Sequence, residues 1–164
     1  MAQTDLSRTS KQRLAIVSDA VSVFLLQHHG SEVKVLLMRR ATTMKGTWCQ
    51  VAGGIEAGEK AWQAALREVR EETGIILGSL WSGDIVEQFY DPHRDRIAML
   101  PVFVGFVAPQ IEVQLNDEHD AYEWLDFDAA CARVTFPGQR HTLRTIEAEF
   151  VARDPDPVLR IDIA

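Results

Sequence analysis

One eight-residue segment, REVREETG at 67–74, constrains the fold more than any other part of the chain. Its glutamates Glu68, Glu71 and Glu72 are spaced three and four positions apart, so on an α-helix their side chains are crowded together. Glu68 and Glu72 form an i,i+4 pair of like charges, and the glutamates lie in the last turn, where the helix dipole favours cations. Gly74 is a typical residue for ending a helix. The segment therefore predicts a helix whose acidic side is electrostatically unfavourable unless something offsets the charge.

A helix over 60–73 is amphipathic, with an apolar stripe on one side and charged residues on the other. The stripe consists of Trp62, Leu66, Val69 and Thr73, and three alanines share the charged side, Ala61, Ala64 and Ala65. One interpretation is an ordinary helix with a core face and a solvated face. The other is a cation site, because the alanines leave space beside the carboxylates and Mg²⁺ takes oxygen ligands and commonly bridges to phosphates.

The loop before this helix is rich in glycine. Gly53 and Gly54 permit backbone conformations that other residues avoid, and Gly58 does so just before the helix. Glu59 is expected at the start of the helix, where negative charge is favourable. Such a loop can free backbone carbonyls, which become additional metal ligands.

Loop and helix together form a long pattern, G-x5-E-x7-R-E-V-x-E-E-x-G-I, from Gly53 to Ile75. It resembles, without a gap, the signature of the Nudix hydrolases, and the flanking order of elements extends the resemblance to residues 13–152. The resemblance implies an α/β (α+β) fold, an α/β/α sandwich with a mixed β-sheet. It also implies hydrolysis of a nucleoside diphosphate linked to another moiety, by attack of water on phosphorus with Mg²⁺ or Mn²⁺.

The resemblance further implies a role for each residue of the pattern. Glu68 and Glu72 would bind the metal, and Glu71 would bind it, orient it or accept the proton of the attacking water. The implied supporting residues are Ala52, whose carbonyl would join the metal ligands, the pair Glu59 and Arg67, which would hold the loop against the helix, and the glycines Gly53 and Gly74. The proline that the family commonly has before the glycines is absent, since this chain reads VAGG.

A further carboxylate is predicted outside the pattern, in NDEHDAYEWL at 116–125. This segment resembles the E-H-x-x-Y-x-W-L pattern of the dihydroneopterin triphosphate and dATP pyrophosphohydrolase subgroup. Glu118 is therefore a candidate metal ligand or general base, and the alternative is a solvated acid in an acidic loop. Asp117 and Asp120 are weaker candidates for the same role. His119 alone is a weak candidate, because exposed histidines are common.

Arg39 and Arg40, at the end of a predicted strand, are the candidates for binding the phosphates of the substrate. Planar guanidinium groups bind phosphate oxygens in pairs. Arg39 matches the phosphate-binding position of the subgroup, and for Arg40 a plain charge at a strand end is an equally good interpretation.

The remaining segments predict a mixed sheet with few helices. Periodicity and turn residues predict strands at 14–27, 33–40, 97–108 and 120–127, extended structure at 75–90, and helices at 128–133 and 138–152. The strand at 97–108 is almost continuously apolar and is expected to be buried on both faces. We expect three regions, a polar N-terminal arm at 1–12, the Nudix domain at 13–152 and a C-terminal tail at 153–164.

Composition limits the partners. The chain has 164 residues, 46% of them hydrophobic, which is typical of one globular domain. A net charge of −7 disfavours nucleic acid as a partner, because that requires a basic surface. We found no membrane span and no secretory signal, so a cytoplasmic protein is expected, and a homodimer is compatible with the sequence.

The function predicted from the sequence is metal-dependent release of pyrophosphate from a nucleoside, deoxynucleoside or pterin triphosphate. The alternatives are a hydrolase of ADP-ribose, a sugar nucleotide or a dinucleoside polyphosphate, and a nucleotide-sensing Nudix module without activity. The signature does not separate the enzymes, because its residues contact the diphosphate that their substrates share.

Overall fold

The computed structural model describes residues 12–163, so the predicted arm at 1–12 lies outside the described residues except for its last position. Nine strands and three α-helices form within the described part. The strands are β1 (Ala15–Val17), β2 (Ala20–His29), β3 (Glu32–Arg40), β4 (Trp48–Cys49), β5 (Val51–Gly54), β6 (Leu80–Asp91), β7 (Arg96–Val107), β8 (His119–Leu125) and β9 (Arg160–Ile161). The helices are α1 (Ala61–Thr73), α2 (Phe127–Arg133) and α3 (Pro137–Phe150), and a 3-10 turn covers Pro157–Leu159.

The strands form one mixed sheet, as predicted. β2 and β7 lie side by side in parallel at its centre, and the order outwards is β3 and then β4 or β8 on one side, and β6 and then β9 on the other. The β2–β3, β3–β8 and β6–β7 pairs are antiparallel. The short strands β1 and β5 pair with β7 and β2.

Helices cover both faces of this sheet, because successive strand residues point to opposite sides. In β3, Leu36 and Met38 belong to the core on the α1 side, and Val35 and Leu37 belong to the core beneath α2 and α3. The predicted α/β/α sandwich is confirmed. None of the helices in residues 12–163 is long and apolar enough to cross a membrane.

Helix α1 is rotated relative to the prediction. Ala64 and Ala65 are fully buried in the core, whereas Trp62 and Leu66 of the predicted stripe are only partly buried. The prediction that these alanines share a solvated charged side is wrong. The buried face is centred near Ala65 and Glu72. A helical wheel assigns every glutamate to the polar side, so it could not reveal a face that contains a buried carboxyl group.

Two further segments differ from the prediction. The segment 14–27, expected to be one strand, forms two strands, β1 and β2. Both pair with β7, but their registers differ by one residue: Val17 lies opposite Ala98, and Ser22 lies opposite Val102. The C-terminal tail adds β9, which pairs with the start of β6. The first half of β7 is half-buried, so burial on both faces holds only for its second half.

Candidate active site

Arg67 connects the glycine-rich loop to helix α1. Its Nε and Nη2 atoms donate to the two carboxylate oxygens of Glu59, both at 2.9 Å, and Nη2 also donates to the carbonyl of Gly54 at 2.7 Å. The bond from Arg67 holds the pKa of Glu59 below its ordinary value. The pairing of Glu59 with Arg67 that the resemblance implied is therefore present, and it fixes the loop against the helix.

Two glycines are required by the local geometry. A Cβ atom on Gly53 would overlap the carboxyl group of Glu68, so any other residue here would displace that carboxyl group. Gly74 has a φ of 70° and donates its N–H to the carbonyl of Arg70 at 2.9 Å, which is the left-handed helix end that its position predicts.

The three glutamates of α1 lie in different environments. Glu72 is only 2% exposed, and burial raises its pKa from an ordinary 4.5 to about 8, with the charges of Glu68 and Glu118 adding to the shift. Burial also raises the pKa of Glu68, although Arg67 Nη1 lies 2.7 Å from its Oε1 and opposes the shift. The side chain of Glu71 is 50% exposed and lies 3.2 Å from Arg67.

Glu118 lies in the turn just before β8, in an exposed position. Its carbonyl accepts a hydrogen bond from the N–H of Ala41 at 2.8 Å, which joins this turn to the end of β3. The charge of Glu118 contributes to the raised pKa values of both Glu68 and Glu72. Glu118 is thus close enough to the α1 glutamates to interact with them, although 46 residues separate it from Glu72 along the chain.

The two arginines at the end of β3 have different surroundings. Arg39 Nε donates to Asp120 Oδ1 at 2.6 Å in an exposed ion pair. Arg40 donates to the carbonyl of Thr43 at 2.8 Å, and its positive charge opposes the raised pKa of Glu72. Arg40 is thus close enough to the carboxylates for its charge to act on Glu72, whereas Arg39 is paired with Asp120.

The chemistry of the carboxylates fits a divalent cation. As they stand, no three His, Cys, Asp or Glu side chains among the described residues converge closely enough to hold an ion, and Glu68 is turned towards Arg67. Glu72 Oε2 is nevertheless buried without a hydrogen-bond partner in the described part of the chain, and the charges of Glu68 and Glu118 raise the pKa of Glu72. Cations that take carboxylate oxygens would bind these carboxyl groups and remove the repulsion between them.

His119 and Cys49 lie beside the carboxylates, and little in the sequence pointed to either residue. His119 is 5% exposed rather than exposed, with Nε2 3.8 Å from Cys49 Sγ and Nδ1 4.0 Å from Glu72 Oε2. Burial and the charge of Arg40 lower the pKa of His119, and burial raises the pKa of the Cys49 thiol to about 11. A neutral ring therefore lies between a protonated thiol and a buried carboxyl group. The only sequence signal was the place of His119 in the E-H-x-x-Y-x-W-L pattern.

A second buried polar network lies on the other face of the sheet. Gln50 Nε2 donates to Ser22 Oγ at 2.8 Å and to Glu87 Oε2 at 3.1 Å, and Gln139 Nε2 donates to Gln50 Oε1 at 2.9 Å. Burial raises the pKa of Glu87. The network ties α3 to the segment that leads into β5, and no local sequence pattern marked its members.

Comparison with known proteins agrees with this geometry. The family model of the NUDIX domain matches residues 17–153. The chain is 38% identical over 136 residues to an octanoyltransferase of Myxococcus xanthus, but the match spans 78% of this chain and only 36% of that longer protein. It is 29% identical over 127 residues to the nucleoside triphosphatase NudI of Salmonella arizonae, covering 73% of this chain and 90% of that protein.

Solved structures share the fold. An Ap4A hydrolase of C. elegans superimposes with a TM-score of 0.73 at 22% identity, covering 84% of this chain and 99% of the other. The dihydroneopterin triphosphate pyrophosphohydrolase of E. coli superimposes with a TM-score of 0.69 at 24% identity, covering 86% and 100%. The family match spans most of the chain and includes the loop, the helix and the glutamates described above. The chain therefore belongs to the NUDIX domain family.

Proposed function

We propose that this protein hydrolyses a nucleoside or pterin triphosphate to a monophosphate and pyrophosphate, and that it requires Mg²⁺ or Mn²⁺. The observation that carries the proposal is the buried, partly unpaired carboxyl group of Glu72 beside Glu68 and Glu118. The charges of Glu68 and Glu118 disfavour ionisation of Glu72, and divalent cations bound to these carboxylates would supply the positive charge that offsets the repulsion.

A triphosphate is favoured over the other substrates of the family on two grounds. The similarity to the nucleoside triphosphatase NudI spans 90% of that protein. The segment EHDAYEWL, from Glu118 to Leu125, matches the pattern of the dihydroneopterin triphosphate and dATP pyrophosphohydrolase subgroup. ADP-ribose, sugar nucleotides and dinucleoside polyphosphates are the competing substrates.

The residues that would hold the cation are the glutamates, Glu68, Glu71, Glu72 and Glu118, and the carbonyl of Ala52. A cation bound there would neutralise the phosphates and lower the pKa of a coordinated water. Glu118 is our candidate for the group that accepts the proton of the attacking water, because it is exposed and its charge still acts on Glu68 and Glu72. Glu71 is the alternative, but Arg67 lies 3.2 Å from its carboxylate.

The phosphate oxygens need cationic partners from the protein as well. Arg40 would bind them directly, because its charge already acts on Glu72. Arg39 would have to exchange its bond with Asp120 for one to the substrate. A guanidinium group can make both kinds of contact, since carboxylate and phosphate offer similar pairs of oxygens.

The experiment is a substrate panel with product identification. Nucleoside, deoxynucleoside and pterin triphosphates, ADP-ribose, a sugar nucleotide and a dinucleoside polyphosphate are incubated with the protein and Mg²⁺, Mn²⁺ or EDTA. We expect a triphosphate to give the highest kcat/KM, with pyrophosphate as product and no turnover in EDTA. Release of inorganic phosphate instead of pyrophosphate, or full activity in EDTA, would contradict the proposal.

A further inference from the structure

A row of three buried polar side chains lies on the α1 side of the sheet. Cys49 in β4 and His119 in β8 flank β3, with Cys49 paired to Met38 and His119 paired to Arg40. The imidazole ring lies between the thiol and α1, with Nε2 3.8 Å from Cys49 Sγ and Nδ1 4.0 Å from Glu72 Oε2. The ring therefore separates an inert thiol from a carboxyl group of the active site.

The two atoms that face each other across the 4.0 Å gap are both unsatisfied. Glu72 Oε2 and His119 Nδ1 are buried, and neither has a hydrogen-bond partner within residues 12–163. Buried polar atoms almost always have a partner, so each exception needs an explanation. An N–H···O hydrogen bond spans about 2.7–3.2 Å, so a displacement of about 1 Å would join these two atoms.

The contact on the other side of the ring bears on which nitrogen carries the proton. The Cys49 thiol is protonated, and an S–H group is a weak donor that the lone pair of Nε2 can accept. A neutral imidazole has one N–H, so the proton is then on Nδ1 and points at Glu72 Oε2. The contact with Cys49 is compatible with this tautomer, which allows His119 to donate to the carboxylate.

We propose that His119 is a positioning residue, whose Nδ1–H holds Glu72 Oε2 and leaves the other carboxylate oxygen directed at the cation. The inference rests on the proposed function, since it assigns Glu72 to the metal. Hydrogen bonds to ligating carboxylates orient them, and removing such a partner typically weakens metal affinity 10–100-fold. We expect an effect of that size, about 10–100-fold, on removal of the Nδ1–H donor.

The test uses two amides that replace different nitrogens of the ring. In His119→Asn the side-chain amide nitrogen occupies roughly the place of Nδ1, and in His119→Gln it reaches roughly to the place of Nε2. Affinity for Mn²⁺ is measured without substrate, from the EPR signal of the free ion. We expect His119→Asn to keep most of the parent's affinity and His119→Gln to bind about 10–100-fold more weakly. His141→Gln, at an exposed position of α3, is the matched control and should bind like the parent.

A measurement on the unaltered protein avoids dependence on folding of the variants. In protein labelled with ¹⁵N-histidine and saturated with Mg²⁺, the two-bond ¹⁵N–¹H correlations identify the tautomer of His119. We expect the Nδ1–H form. The Nε2–H form would overturn the inference, and so would equal Mn²⁺ affinity of the parent, His119→Asn and His119→Gln.

One additional variant separates failure of this inference from failure of the proposed function. Glu72→Gln should lose Mn²⁺ affinity whether or not His119 has the role assigned to it. If Glu72→Gln bound Mn²⁺ as tightly as the parent, the metal site itself would be wrong, and this inference with it. If Glu72→Gln lost the ion while both His119 variants kept it, only the positioning role would be refuted.

Discussion

Replacing the buried carboxyl group of Glu72 by an amide should stabilise the metal-free protein while removing its activity. Burial raises the pKa of Glu72 from 4.5 to about 8. A raised pKa in the folded state means that this group stabilises the fold fully below about pH 4.5, and that the contribution is lost as the pH rises towards about 8. Glu72→Gln removes the titrating group and hence this loss.

The raised pKa of Glu72 sets the scale of the gain. At about pH 7.5 the working pH lies about three units above the ordinary pKa of a glutamate, and each unit corresponds to about 1.4 kcal/mol. Keeping the carboxyl group protonated at that pH therefore lowers the stability of the folded state by about 4 kcal/mol. We expect Glu72→Gln to recover about 1–3 kcal/mol of this, because the amide N–H needs an acceptor in the same buried space.

The assay is thermal unfolding of the parent and Glu72→Gln in EDTA, at about pH 5 and about pH 8. For a chain of this size 1 kcal/mol corresponds to about 2–4 °C in Tm, so the difference should be small at the lower pH and reach several degrees at the higher one. Glu71→Gln, with a half-exposed side chain in the same turn, is the control and should show no such pH-dependent gain. A Glu72→Gln variant that melts below the parent at the higher pH in EDTA would refute the reasoning.

Three further predictions concern the loop, the turn before β8 and the glycine beside the helix. Arg67→Ala should lower both Tm and rate, because it removes the bonds to Glu59, and a variant that melts like the parent would contradict that structural role. Glu118→Gln should lower kcat about 100-fold with little change in KM and with partial recovery at high pH, as expected for loss of a general base. Asp117→Asn should lower kcat only slightly. The reverse ranking of the two variants in steady-state kinetics would assign the role to Asp117. Gly53→Ala should abolish most activity and weaken Mn²⁺ binding, because the added methyl group overlaps a carboxyl group of α1, and unchanged binding by EPR would show that the overlap is relieved elsewhere.

The general fold could be predicted because its signals are local. The 3.6-residue periodicity of α1, with Gly74 as its end, located the helix to within one residue. Residue type and turn residues predicted the two strands that pair as β2 and β3. The interrupted strand at 14–27 and the pairing of β9 could not be predicted, since both depend on the register against distant strands.

The site was predictable only in part, for a different reason. The long pattern identified Glu68 and Glu72, but the wheel assigned them to a solvated face, and burial of a carboxylate has no sequence signal of its own. His119 was predicted to be a weak candidate because a lone histidine does not reveal its neighbours. Its contacts with Cys49 and Glu72 arise from pairing of β4 and β8 with the same strand, which only the assembled sheet displays.

The central claim is that water attacks a triphosphate, with the help of a metal ion, and releases pyrophosphate. The most direct test of it follows the oxygen atom of that water into the products. The preferred triphosphate is hydrolysed in H₂¹⁸O with Mg²⁺, and the isotope shift in ³¹P NMR locates the label. We predict that ¹⁸O appears in only one product, either the monophosphate or the pyrophosphate, which identifies the attacked phosphorus. We predict no labelled product when EDTA replaces Mg²⁺. Label in inorganic phosphate, or the same labelled products in EDTA, would contradict the claim.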